Sequence, residues 1–210
     1  MKFKRLILIF LGLLFSACAI KQPPIEIDHW RVVPERTGPP RTNQLKYWLT
    51  QGTISVTSPF DTKSLVYRLD EQKYEKDFYN EYITMPSEML ATATRQWLNA
   101  AGIFEFTVNN GNTLLPLYLL QGSVDEMYTD FRKDQTPAVV FTIEYYLSIT
   151  DGVKKNNVIF RKKYTMRENI RDNTAKSIVK AQQIVMGKTC LLYTSPSPRD
   201  RTRSRMPSSA

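Results

Sequence analysis

The chain has 210 residues, of which 29 are Lys or Arg and 20 are Asp or Glu, so its formal net charge is +9. Most of this charge lies at the ends: residues 1–17 carry three basic side chains and residues 190–210 carry four Arg against one Asp, which leaves +3 for residues 18–189. This balance argues against a nucleic-acid-binding protein, and a hydrophobic content of 42% excludes intrinsic disorder. No apolar run after residue 20 is long enough to span a bilayer, which argues against a polytopic membrane protein.

The first 17 residues have the three parts of a secretory signal. Basic residues occupy positions 2–5, an apolar run covers Leu6–Phe15, and the small residues Ser16 and Ala17 follow. The apolar run is too short for a comfortable transmembrane helix. The segment 1–17 is therefore predicted to be a signal peptide that is removed after export.

The residue after this signal is Cys18, and the run Leu14–Cys18 resembles a bacterial lipobox, although Phe15 stands where Leu is most common. The resemblance implies cleavage between Ala17 and Cys18 and covalent attachment of diacylglycerol and an N-acyl chain to Cys18. Ala19 at the next position implies sorting to the periplasmic side of the outer membrane rather than retention at the inner membrane. The alternative is an ordinary signal peptide with an incidental cysteine.

The other end of the chain, residues 190–210, is rich in Ser, Pro and Arg and has no hydrophobic period. It resembles a translated adapter or vector sequence, which implies a non-native tail and a native carboxyl terminus that is missing beyond about residue 189. The alternative is a basic tail that binds RNA or anionic lipid. With Cys18 acylated, Cys190 would be the one unpaired cysteine of an exported protein.

Between the two ends we expect a proline-rich tether over 18–43 and a single globular domain over 44–189. A helix is predicted to begin at Pro86 and to end at Gly102. A second amphipathic helix is predicted from an apolar stripe between Ala175 and Val185, with Asp172 or Asn173 as its N-cap. The remaining segments alternate as strands do. In one of these strands, alternate residues are expected to lie on the same face: Leu120, Gly122, Val124, Glu126 and Tyr128.

These elements predict an α+β fold, or an α/β sandwich. We expect a mixed, largely antiparallel sheet of about five strands with two amphipathic helices on one face.

Several segments taken together resemble the ABC-type transport auxiliary lipoprotein family, the group that includes paraquat-inducible protein C. They are residues 65–68 (LVYR), residues 82–90, which include Met85-Pro86, residues 97–98 (WL) and residues 120–124 (LQGSV). A long alternating strand follows the last of them. Tyr82 stands where the family commonly has Trp. The resemblance covers about residues 25–187. It implies a non-catalytic lipoprotein that works with an ABC transporter and MCE-domain proteins in phospholipid transport between membranes.

Candidate residues for chemistry are few. The one histidine, His29, has no Cys or carboxylate partners at metal spacing, and no Ser-His-Asp pattern is present, so neither a metal site, a cofactor nor a catalytic residue is predicted. The acidic pairs 70–71 and 75–77 are interleaved with basic residues, which is typical of a solvated, salt-bridged surface.

The aromatic run between Tyr74 and Tyr82 has two interpretations. It can be a docking surface, since Tyr is enriched at interfaces, or it can be core packing, which we favour for Phe78 and Tyr82. Tyr74, Tyr79 and Tyr146 are the candidate partner-docking residues. If the chain does not belong to an MCE system, the alternative function is a free-standing periplasmic lipid-binding or hydrolytic lipoprotein.

Overall fold

A computed structural model describes residues 24–34, 36, 39–42, 44–109, 111, 116–150 and 157–194, with only the backbone of the last four. The predicted signal, Cys18, part of the tether and residues 195–210 lie outside the described residues. The predictions of cleavage, of lipidation and of a non-native tail therefore stay predictions.

The described residues form eight strands and two helices that share one hydrophobic core. The strands are β1 (Asp28–Trp30), β2 (Leu45–Val56), β3 (Ser64–Arg68), β4 (Tyr74–Tyr82), β5 (Phe104–Asn109), β6 (Tyr118–Asp130), β7 (Ala138–Ile149) and β8 (Val158–Asn169), and the helices are α1 (Pro86–Ala101) and α2 (Ala175–Thr194).

All eight strands belong to one sheet whose centre is β6. One edge of β6 pairs in parallel with β2 and, further along, with β3, while the other edge pairs with β7. Beyond them β5 lies next to β2, β4 lies next to β3, β1 lies next to β4, and β8 lies next to β7. The α+β class is confirmed. The expectation of about five largely antiparallel strands is wrong, because four of the seven strand pairs within the described residues are parallel.

Parallel neighbours require long connections, and this chain supplies them. The connection from β2 to its parallel neighbour β5 includes α1, and β6, which pairs in parallel with both β2 and β3 along one edge, follows them in the chain only after β4, α1 and β5. Alternation within a segment predicts that it is a strand, but it carries no information about which distant segment lies beside it. This is the physical reason why the direction of the pairs was mispredicted.

A bulge divides β6 into two parts with opposite faces. Val124 lies opposite Ile143 of β7, but Glu126 lies opposite Thr142, so Asp125 is an extra residue in the ladder. Leu120, Gly122 and Val124 share the face of Tyr145 and Ile143, as predicted. Glu126 and Tyr128 do not, because one inserted residue turns every later side chain to the other face.

Helix α1 begins and ends where the sequence predicts. Pro86 occupies its first turn, and Gly102 ends it in the left-handed conformation (φ 61°), where the Gly102 N–H donates to the Asn99 carbonyl at 3.2 Å. The buried stripe is also as predicted: Met89, Leu90, Ala93, Trp97, Leu98 and Ala101.

Helix α2 has a different cap from the one expected. The Thr174 hydroxyl accepts from the Ser177 backbone N–H at 3.3 Å, which makes Thr174 the N-cap, while Asp172 accepts from the Thr174 backbone N–H at 3.0 Å and braces it. The helix continues through Cys190 to Thr194, so the predicted domain limit at residue 189 falls inside it. The Cys190 thiol is buried.

Both helices pack on the same face of the sheet. Tyr145 of β7 is the evidence: its hydroxyl lies 3.4 Å from that of Thr94 in α1, and it also hydrogen-bonds with Cys190 in α2. Because side chains alternate along β7, residues 140, 142, 144 and 146 point away from the helices. We call that side of the sheet the open face.

Candidate docking surfaces

The three tyrosines predicted for docking lie in three different environments. Tyr74 belongs to an aromatic cluster at one end of the open face. Tyr146 lies on the same face toward the other end, opposite Gln121 of β6. Tyr79 projects from an irregular part of β4. The structure therefore does not bring them together into a single surface.

The surroundings of Tyr146 are charged and accessible. Its hydroxyl donates to Glu144 at 2.6 Å, and the Arg161 guanidinium lies 5.6 Å from its ring centroid while also donating to Glu144 at 2.7 Å. The pKa of Glu144 is lowered, first by the hydrogen bond from Arg161 and then by that from Tyr146. Lys163 continues the row on β8 with an ion pair to Asp125 at 2.6 Å. Basic side chains on an edge strand, each paired with an acid, keep this face soluble and discourage edge-to-edge pairing.

The other end of the open face is closed by an ion cluster around Asp130. The Asp130 side chain is fully buried (0% exposed), and it accepts from Arg132 Nη2 at 2.9 Å and from Arg167 Nη1 at 2.8 Å. Burial by itself raises the pKa of this carboxyl, but the hydrogen bonds from Arg132 and Arg167 outweigh it and hold the pKa well below its usual range. Glu71 joins the cluster by bonding to both Arg68 and Arg132.

Tyr74 packs into an aromatic cluster beside these ions. Its ring lies edge-on to Tyr128 (5.6 Å between centroids) and to Phe60 (5.9 Å), and Phe60 also stacks on Tyr128 at 5.7 Å. Arg68 covers Tyr74 at 5.6 Å and donates to the Tyr128 hydroxyl at 3.2 Å. Tyr74 is half-buried and contributes to packing on the open face.

The irregular part of β4 is a large bulge. In the ladder with β3, Ser64 lies opposite Glu81, and Val66 lies opposite Lys76, so four residues of β4 oppose the single residue Leu65. We call these four residues, Asp77 to Asn80, the β4 bulge. A bulge of this size re-aims the side chains that it carries.

Hydrogen bonds fix the shape of the β4 bulge. Asp77 Oδ1 accepts from the backbone N–H groups of Tyr79 (2.8 Å) and Asn80 (3.0 Å), which is the local turn that Asp favours. Its Oδ2 accepts from the Asn80 amide at 2.9 Å and from the Tyr67 hydroxyl. Trp30 Nε1 of β1 donates to Asn80 Oδ1 at 2.9 Å. The pKa of Tyr67 is raised well above its usual value, first by burial and then by Asp77.

The two residues at the tip of the β4 bulge are exposed aromatics. Phe78 is 60% exposed and Tyr79 is 59% exposed, and their rings meet edge-on at 5.2 Å. The expectation that Phe78 belongs to the core is therefore wrong. The same expectation is confirmed for Tyr82, which is buried and accepts a 2.7 Å hydrogen bond from Gln182. The sequence signal that could have found the bulge is Asp77 inside a Tyr- and Phe-rich strand.

Within the described ranges, no group of three or more His, Cys, Asp or Glu side chains is placed to hold a metal ion. His29 is exposed in β1. The acidic pairs of 70–77 behave partly as expected, since Lys73 pairs with Glu75 at 2.8 Å and Arg68 with Glu71 at 2.9 Å, but Asp77 is committed to the β4 bulge. The burial of Cys190 raises the pKa of its thiol to about 12, which leaves it unreactive at neutral pH.

A groove of about 350 Å³ lies between the segment after β1 and α1, and Val32, Ile83 and Met89 are among the residues that line it. Its walls also contain Arg31 and Glu88, so it has apolar and charged parts. Neither of the described helices is both long and apolar enough to cross a bilayer.

Comparison with known proteins identifies the fold. No model of a known protein family matches the sequence, and no curated protein matches it. Solved structures do match: protein XCC0632 from Xanthomonas campestris, assigned to the family model DUF330, superposes with a TM-score of 0.62 at 13% identity over 78% of this chain and 88% of its own. An uncharacterized protein superposes with a TM-score of 0.60 at 12% identity over 80% of this chain and 96% of its own. At these identities the likeness establishes one thing, that the chain has the fold of the DUF330 protein XCC0632.

Proposed function

We propose that the protein is a non-catalytic lipoprotein, anchored through Cys18 to the periplasmic side of the outer membrane, that serves as an auxiliary component of an ABC/MCE-type phospholipid transport system. The main support for this proposal is that the segments resembling the auxiliary lipoprotein family lie in the core of the fold shared with XCC0632. Leu65, Leu90 and Leu120 are almost fully buried, as are Tyr82, Trp97 and Val124. Fold alone does not determine function, so the lipobox-like run before the domain supplies the second support.

The open face around Tyr146 is the surface that we assign to the protein partner. It combines an aromatic ring, an arginine stacked on that ring and accessible charges of both signs, the side chains from which interface centres are often built. Complementary charge on a partner would steer its approach and set its orientation.

Anchoring is tested by replacing Cys18→Ala in the full chain. We expect the variant to move from the membrane fraction to the soluble periplasmic fraction, because the acyl chains bury many CH₂ groups at about 0.8 kcal/mol each and are the proposed attachment. Cys190→Ala is the matched control, since this second cysteine is buried in α2 and should leave the distribution unchanged. A Cys18→Ala protein that stays in the membrane fraction would contradict the proposal.

Partnership is tested by a photo-crosslinking amino acid at Gln121, which is exposed opposite Tyr146. We expect it to capture an MCE-domain protein, whereas the same amino acid at Lys180, on the exposed side of α2, should not. Capture of nothing from the envelope would count against the transport role. Stoichiometric co-purified lipid or turnover of an ester substrate would instead support a free-standing lipid-binding or hydrolytic lipoprotein.

A further inference from the structure

We propose that the tip of the β4 bulge, together with Ile25 and Ile27, rests in the headgroup layer of the membrane that anchors Cys18. The ligand of this patch is a lipid surface. The inference rests on the proposed lipidation of Cys18, and it adds which side of the domain faces the bilayer. We call Ile25, Ile27, Phe78 and Tyr79 the anchor-side patch.

Chain length places this patch beside the membrane. Six residues separate Cys18 from Ile25, and because an extended residue spans at most about 3.6 Å, Ile25 lies within about 25 Å of the lipidated residue. Ile25 leads directly into β1, where Asp28 pairs with Asn80 of the β4 bulge. The tether is therefore short enough to keep the bulge within reach of the lipid headgroups.

The exposed side chains suit that layer. Ile25 is 61% exposed and Ile27 is 42% exposed, close in sequence to the strand that pairs with the bulge. Phe78 offers an apolar ring, and Tyr79 offers an amphipathic ring whose hydroxyl can stay among the headgroups. Aromatic rings of this kind concentrate at membrane–water interfaces because one end is apolar and the other is hydrated.

The two aromatic rings are held outward rather than left exposed by a loose loop. Asp77 fixes the backbone of Tyr79 and Asn80, and Trp30 fixes the Asn80 side chain from the neighbouring strand. A surface whose shape is set before contact loses less conformational entropy on binding. A half-buried tryptophan and a half-buried asparagine therefore hold the backbone that carries two exposed aromatic side chains.

Charges around the anchor-side patch do not favour one type of lipid. The exposed Glu26 and Asp28 are balanced by the exposed Arg31 and Lys76. Contact is therefore expected to depend on the apolar and aromatic side chains and to change little with salt, unlike the binding of a polybasic segment to anionic lipid.

The opposite end of the sheet provides a matched control. Phe106 of β5 is also aromatic and 53% exposed, but through β2 it lies level with the start of β6, whereas the β4 bulge, through β3, lies level with the end of β6. About ten residues of strand, or about 30 Å, separate the two positions along the strand direction. The headgroup layer on each side of a bilayer is only about 5–8 Å thick. With the β4 bulge in the headgroups, Phe106 remains in water.

The experiment uses the full lipidated chain in vesicles of phosphatidylethanolamine and phosphatidylglycerol. Phe78→Cys, Tyr79→Cys and Phe106→Cys are each labelled with a nitroxide, and the label reports its collisions with oxygen, which enters lipid, and with a water-soluble nickel chelate. Labelling is specific because the Cys18 sulfur is acylated and Cys190 is buried. We expect an oxygen-to-nickel collision ratio at 78 and at 79 at least about fivefold higher than at 106.

Equal ratios at all three positions on a lipidated chain would overturn the inference while leaving the proposed function intact. Shielding at 78 and 79 from both reagents, seen only after an MCE-domain protein is added, would also overturn it, because the patch would then bind protein. The mass of the purified chain reports the acyl groups directly. A chain without them would overturn the proposed function and this inference together.

Discussion

At the scale of single residues, Asp130 is a charged side chain whose removal should cost the domain stability. It is buried, and it receives hydrogen bonds from two arginines that are themselves only partly exposed. We expect Asp130→Asn to lower the free energy of unfolding at pH 7 by about 2–3 kcal/mol, because hydrogen bonds to a charged group are lost and two guanidinium groups are left with one fewer anion. Urea denaturation measures the change.

The same residue predicts a pH dependence of stability. The pKa of Asp130 is lowered in the folded protein, so its stabilising contribution is complete above the unfolded-state pKa of about 3.9 and is lost as the pH falls below it. The difference between wild type and Asp130→Asn should therefore shrink by about 1 kcal/mol between pH 7 and pH 3. Asp125→Asn, which breaks an exposed ion pair with Lys163, is the control and should cost under about 1 kcal/mol at either pH. Equal losses for the two variants at pH 7 would contradict this ranking.

At the scale of secondary-structure elements, Asp77 should decide whether the β4 bulge keeps its shape. Asp77→Ala removes acceptors for two backbone N–H groups, the Asn80 amide and the Tyr67 hydroxyl. We expect a loss of about 2 kcal/mol and faster hydrogen exchange at the amides of Tyr79 and Asn80. Glu75→Ala, which loses only an exposed pair with Lys73, should leave that exchange unchanged. Slow exchange in Asp77→Ala would mean that strand pairing alone shapes the bulge.

The same elements explain how much could be predicted from the sequence. Helix α1 was predictable because its signals are local: Pro86 starts it, Gly102 ends it, and its apolar residues repeat every three or four positions. The face on which the Tyr128 side chain lies was not predictable, because it depends on the bulge at Asp125. That bulge is defined only by the pairing of β6 with β7. The exposure of Phe78 was missed for the same reason, since a period-2 pattern does not reveal four residues opposed to one.

At the scale of the whole molecule, the charge that is so prominent in the sequence has little to do with the fold. The net +9 is concentrated at the two ends, and residues 195–210 carry four Arg against one Asp. The core, by contrast, extends further along the chain than composition indicates, because the buried Cys190 in the last turns of α2 touches Tyr145 at the centre of the helix-covered face.

Two truncations of the chain test where the folded domain ends. A protein ending at residue 194 should keep the unfolding free energy of the full chain, because all of α2 is retained. A protein ending at residue 189, the limit that composition predicts, should lose about 1–2 kcal/mol, because the space filled by Cys190 is vacated and the final turn of α2 is removed. Urea denaturation of the three proteins compares them, and the exposed substitution Lys180→Ala controls for changes elsewhere on α2. Equal stability of the two truncated proteins would place the end of the domain at residue 189, with Cys190 contributing nothing to the core.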